Sequence, residues 1–205
     1  MNGQGIWGIG MTNTLIKDFV VVGGASLVAG GMAAIPASAQ GFDGLYGGIS
    51  YNNGDFESGD WSAYNAAGSS GGVFFGYNMS AGSWLFGAEV SFSNDVAAPN
   101  GTNDYYWMSV DQVVDLRARV GQVFGNTLVY GSVGYVTGTS ILDSSYWSAV
   151  EETFTGSSVG VGFETNFSEN SFFGAEVRRS DWQGDNYSEA DGELTSVSVR
   201  MGMRF

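Results

Sequence analysis

The chain has 205 residues, with 21 Asp and Glu against 7 Lys and Arg and a formal net charge of −14. It contains no His and no Cys, which excludes disulfides, thiolate or His-ligated metal sites and Ser-His-Asp hydrolysis. The negative charge argues against nucleic acid as a partner, and Gly 33, Phe 14, Tyr 10 and Trp 6 with only 14% charged residues suggest β-structure with less charge than a water-soluble β-domain carries.

In chain order, residues 19–35 come first: an apolar, uncharged run behind Lys17. Pro36 breaks any helix, and Ala37-Ser38-Ala39 precedes Gln40. This layout predicts a secretory signal peptide, with Ala37, Ala39 and Gln40 as the cleavage site. Met11 would give that leader a more usual length. The alternative is a transmembrane helix, but 17 residues with several Gly sit at the bottom of the spanning range. The expected division is therefore 1–39 as leader and 40–205 as one domain. Lys17 and Asp18 leave together, so the domain keeps the charge of −14.

Beyond the leader, apolar and polar residues alternate at period two, the signature of half-buried strands. Strands are predicted near 44–52 and 70–79. Over 84–92, Trp84, Phe86, Ala88, Val90 and Phe92 oppose Leu85, Gly87, Glu89 and Ser91. Over 110–120, Val110, Val114, Leu116, Ala118 and Val120 oppose Asp111, Asp115, Arg117 and Arg119, with Gln112 and Val113 as exceptions. A strand near 128–138 follows. Then Val159, Val161, Phe163 and Phe167 oppose Gly160, Gly162, Glu164 and Asn166, and Phe173, Ala175 and Val177 oppose Gly174, Glu176 and Arg178. Last, Val197, Val199, Met201, Met203 and Phe205 oppose Ser196, Ser198, Arg200, Gly202 and Arg204.

That makes eight strands. Short turns are expected at 80–83, 125–126 and 168–170, and longer polar segments near 53–69, 93–108, 139–152 and 182–192. Alternating short turns and long loops is the pattern of an up-and-down antiparallel transmembrane β-barrel, with the turns periplasmic. The parity separates it from a soluble barrel. The polar face holds Glu89, Asp115, Glu164 and Glu176 with Arg117, Arg119, Arg178, Arg200 and Arg204, which is a poor solvent surface but a self-neutralising filling for a narrow lumen. Trp84, and Trp61, Trp107, Trp147 and Trp182 in or beside the long segments, fit an interfacial girdle or, equally, loop packing.

Several segments carry a family resemblance. Gly41–Gly48 opens the first strand. Phe75-Gly76-Tyr77-Asn78 and Trp84–Glu89 form the first hairpin, Leu116–Gly121 and Leu128–Gly131 follow, then Val161–Glu164. In their order these resemble the small outer-membrane β-barrel superfamily of opacity-type and porin-family surface proteins, related in architecture to the OmpA membrane domain. The resemblance implies a β-barrel in the outer membrane of a Gram-negative bacterium. It also implies that Val197, Val199, Met201, Met203 and Phe205 form the signal read by the barrel assembly machinery. It implies no single activity, because members are variously structural, adhesive or weakly pore-forming.

Three functional classes follow. Outer-membrane barrel enzymes generally use a His, so an enzyme is not expected, and neither a cofactor nor a specific metal site is. A pore is the second class: the luminal network of Glu89, Asp115, Arg117, Arg119, Glu164, Glu176, Arg178 and Arg200 is either a plug or the gate of a small, cation-preferring channel, and the sequence does not separate the two. Surface interaction is the third. Asp55, Glu57, Asp60, Asp95, Asp104, Asp143, Glu151, Glu152, Asp181, Asp185, Glu189, Asp191 and Glu193 make an acidic outer mouth that attracts cations and would meet lipopolysaccharide through divalent ions. Glu189, Asp191 and Glu193 are its densest oxygen cluster, without the spacing of an EF-hand. The leading expectation is a monomer with a structural or surface-interaction role.

Overall fold

A computed structural model describes residues 39–58, 66–94, 98–99, 106–144, 147–184 and 191–205. The expected leader through Ser38, with Ala37 of its cleavage site, lies outside the described residues, as do Asp60, Trp61, Asp95, Asp104, Asp185 and Glu189.

Alternation does what the lipid–lumen contrast demands. Eight long strands run β1 (Gly44–Ser58), β2 (Ala66–Ala81), β3 (Trp84–Asn94), β5 (Tyr106–Phe124), β6 (Thr127–Ser144), β7 (Trp147–Asn166), β8 (Ser171–Gly184) and β9 (Gly192–Arg204). A two-residue stub, β4 (Ala98–Pro99), pairs with the outer end of β2. Each long strand pairs antiparallel with its neighbour, and β9 returns to β1, so the sheet closes into a ring. Backbone N–H and C=O groups thereby find partners without water, which a spanning sheet requires.

Outward side chains are apolar: Ile49, Phe75, Phe86, Leu116, Val133, Val159 and Met201 are all exposed. The short-turn end is tight. Gly82 and Gly125 take φ of +68° and +64° as the first residues of two-residue hairpin loops, where the primed turns that match strand twist need positive φ. Ahead of β1, a single 3₁₀ turn (Ala39–Phe42) folds against this end and buries Phe42. Ala39 and Gln40 of the expected cleavage site lie in that turn.

Three expectations are corrected. The segment 139–152 is mostly strand, because β6 and β7 continue to Ser144 and from Trp147. Strands of 18 and 20 residues exceed the ~9–11 that cross a bilayer, so they extend past it, and lipid imposes no alternation on the sequence there. Val110 points inward rather than to lipid, since a bulge between Val110 and Gln112 shifts the register and flips parity. Trp182 is not in a girdle; it is buried inside the barrel. Trp84, at the turn end, is half exposed, as a girdle residue is.

Candidate functional site

Inward parity selects the site. Even positions of β1, β6, β7, β8 and β9 and odd positions of β3 and of β5 below the bulge face the lumen, and they build it in layers. Nearest the long-loop end, Phe56, Val110, Val113, Val136, Phe154, Trp182 and Leu194 form an apolar cluster. The Phe154 and Trp182 rings stack at 3.8 Å between centroids and 10° between planes. At the turn end, Phe42, Leu85, Val123, Leu128 and Tyr130 form a second cluster.

Between these layers lie the charges. Glu89 on β3 accepts hydrogen bonds from Tyr46 Oη (2.8 Å), Arg117 Nε (3.1 Å), Arg119 Nη1 (3.0 Å) and Arg200 Nη2 (2.5 Å). Glu176 on β8 accepts from Arg117 Nη1 (2.7 Å), Arg200 Nη1 (2.6 Å) and Tyr130 Oη (2.9 Å). Glu164 on β7 accepts from Arg119 Nη2 (2.6 Å) and Arg204 Nη2 (2.9 Å). Asp115 on β5 accepts from Arg178 Nη1 (2.7 Å) and Ser158 Oγ (3.2 Å). The structure therefore brings all eight residues of the sequence-derived network together, with Arg204 as a ninth.

The guanidinium planes also lie on rings. Arg119 sits 3.8 Å from the Tyr130 centroid, Arg200 4.0 Å from Phe74, and Arg204 4.2 Å from Phe172 and 4.5 Å from Phe42. Such stacking binds a desolvated cation without another carboxylate. A cavity of about 10 Å³ remains beside Arg117, Arg178 and Arg200, room for about one water-sized occupant.

Sequence reasoning missed the two tyrosines and both apolar layers. Tyr46 lies over Gly76, its direct partner on β2, and Tyr130 over Gly162 on β7. A Cβ on Gly76 would come within 2.3 Å of the Tyr46 ring, and one on Gly162 within 2.7 Å of the Tyr130 ring. The usable signal was an inward tyrosine opposite a strand glycine, a known way to fill the gap a glycine leaves.

The acidic outer end is partly described. Arg179 pairs with Glu193, and Asp191 accepts a hydrogen bond from Gly184 N at 2.7 Å. Among the described residues no group of three or more acidic side chains is arranged to hold a metal ion. The proposed assembly-signal residues Val199, Met201, Met203 and Phe205 face outward and exposed, with Val197 half-buried. Phe205 N donates to Leu45 O at 2.9 Å.

Similarity to known proteins agrees with this geometry. The family model described as "Outer membrane protein beta-barrel domain" matches residues 25–205. A "22 kDa outer membrane protein" of Rhizobium leguminosarum bv. viciae is 32% identical over 178 residues, covering 82% of this chain and 80% of that one. Neisserial surface protein A has a TM-score of 0.60 at 14% identity, over 78% of this chain and 97% of its own. Ail, the attachment invasion locus protein of Yersinia pestis, has a TM-score of 0.56 at 15% identity, over 80% of this chain and 99% of its own; it has also been solved in complex with the heparin analogue sucrose octasulfate. At these identities the solved structures show a shared fold.

Proposed function

Since the chain belongs to the outer-membrane protein β-barrel domain family and resides in the outer membrane of a Gram-negative bacterium, we propose that it is a closed barrel with a structural role and an interaction surface at its acidic outer end. The observation that carries this is the filled lumen: a layer of interlocked charges lies between two apolar layers. A hydrated ion crossing it would have to separate Arg200 from both Glu89 and Glu176. Acid–base chemistry finds no free group there, because each luminal carboxylate already binds at least one guanidinium.

The acidic end sets the kind of partner. Exposed Glu151 and Asp181, with the other acids of the long segments, repel polyanions such as the one bound to Ail and attract cations. Lipopolysaccharide bridged by divalent ions suits that charge. A closed ring leaves no free strand edge along the bilayer, which supports a monomer. The outward C-terminal strand is available to the barrel assembly machinery.

Planar-bilayer recording tests the closed barrel. Protein purified folded from outer membranes should give no discrete steps in a KCl gradient; steps with a cation-selective reversal potential would establish the gated pore instead. For the surface role, replacing Glu151, Asp181, Asp191 and Glu193 with their amides should weaken calcium-dependent association with lipopolysaccharide micelles. Unchanged association would remove that partner.

A further inference from the structure

The luminal charges do not balance. Within the interlocked network, Arg117, Arg119, Arg178, Arg200 and Arg204 face Glu89, Asp115, Glu164 and Glu176, five cations against four anions among the described residues; the carboxylate of Asp43, with a buried oxygen, lies apart at the turn end beside Ser80. In water the difference would be trivial. Inside a barrel jacketed by lipid, an uncompensated charge is costly unless something neutralises it.

The surplus has a place to be met. The cavity of about 10 Å³ lies on the network's outer side, lined by Arg117, Arg178 and Arg200 with the hydroxyls of Ser50, Ser91 and Ser198, and no carboxylate lines it. Arg178 is the least engaged of the three: its side chain is 12% exposed, Nη1 binds Asp115, and Nε has no partner among the described residues. Arg200 Nε, also buried, has none either. Arg117, by contrast, uses all three nitrogens on Glu89 and Glu176. The cavity thus presents guanidinium N–H donors and rotatable O–H donors to a space the size of one small ion, and a carboxylate-free set of this kind suits an anion and disfavours a cation. We infer that this luminal cavity is a binding site for a small monovalent inorganic anion of the halide class, held chiefly by Arg178 and Arg200 with the serine hydroxyls.

Access is consistent with this. The outer apolar layer draws its side chains from β1, β5, β6, β7, β8 and β9. On β2 and β3 the same lumen carries Ser70, Ser91 and Ser93, a polar strip leading down to the cavity.

The test uses protein purified folded from outer membranes in detergent. Its thermal unfolding midpoint is followed by gel mobility while sodium chloride replaces sodium gluconate at constant ionic strength. The midpoint should rise by about 2–4 °C and then saturate, as it does for a ligand bound only by the folded state. Arg178→Gln should abolish the chloride dependence. Ser91→Val, which fills the cavity without touching an ion pair, should abolish it too, and decides the matter if Arg178→Gln does not fold. Crystals soaked in bromide should show an anomalous peak between Arg178 and Arg200. Equal midpoints in chloride and gluconate, a dependence that survives Ser91→Val, or a cavity without bromide would each overturn the assignment.

Discussion

Arg200 Nη2 lies 2.5 Å from Glu89 Oε2, although 111 positions separate the two residues. The contact spans the barrel from β9 to β3, and Glu89 holds Arg117, Arg119 and Tyr46 as well. One carboxylate thus joins β1, β3, β5 and β9 at the middle of the lumen.

Neutralising that carboxylate should be costly. A buried ion pair adds little net stability over an apolar filling, yet removing one partner strands the other charge, at about 3–5 kcal/mol. Glu89→Gln keeps the shape and is expected to lower unfolding stability by that amount in urea titrations of the detergent-folded barrel. Arg179→Ala breaks a pair exposed at the outer end and should cost no more than ~1 kcal/mol. Equal effects from the two variants would show that the lumen network is not desolvated.

The outer apolar layer makes a second prediction. Trp182→Ala removes the ring stacked on Phe154 and leaves a hole, for a loss of about 3–5 kcal/mol. Trp182→Phe should cost much less, because the indole Nε1 has no hydrogen-bond partner among the described residues. Urea midpoints for the two variants, compared with the parent, give the answer; a Phe variant as weak as the Ala variant would mean the indole N–H has a role in the lumen.

Gly76 and Gly162 should be intolerant of even one methyl group. The nearest atoms to an added Cβ include ring atoms of Tyr46 or Tyr130 and the backbone carbonyls of Ala88 or Ala175. Gly162→Ala is expected to destabilise by about 1–3 kcal/mol through overpacking. Combining it with Tyr130→Ala should add less than the sum of the separate losses, since both changes act on one contact. Strict additivity in the double-mutant cycle would sink this account.

Phe205 separates assembly from stability. The residue is 80% exposed, so Phe205→Ala should leave the unfolding stability of isolated barrel within ~0.5 kcal/mol. The amount of folded protein reaching the outer membrane of cells should nevertheless fall, read by the heat-modifiable band in membrane fractions. Normal cellular yield would remove the terminal residue from the assembly signal.

The barrel's middle was legible in the sequence because two unlike media press on it. Leu116 meets lipid while Arg117 meets Glu89, so the order of residues records the environment directly. That contrast ends above the bilayer, where the backbone still pairs Ser140 with Glu152 and Ile141 with Glu151 but lipid no longer dictates which residue types alternate. Parity also misleads wherever the lumen itself is apolar. Phe154, Trp182 and Leu194 lie on the charged face of their strands, and Val113 reads as an exception beside a bulge that no residue type announces. Arginine and glutamate identify the site; their particular pairings depend on strand register, and hence on closure.

Closure also governs when this molecule can come into being. The ring is sealed by pairing between its first and last strands, Tyr46 beside Arg204 and Ile49 beside Met201, and Phe205 N bonds Leu45 O at the same seam. Until β9 arrives, the growing sheet has two raw edges, and Glu89, Glu164 and Glu176 lack Arg200 or Arg204. The 3₁₀ turn touches the same strand, because Arg204 lies over the Phe42 ring. Closure thus joins the most distant parts of the chain, the kind of contact that costs most loop entropy. A sheet without β9 keeps both edges open and leaves the central carboxylates short of their guanidinium partners, so strand pairing and charge pairing are completed together.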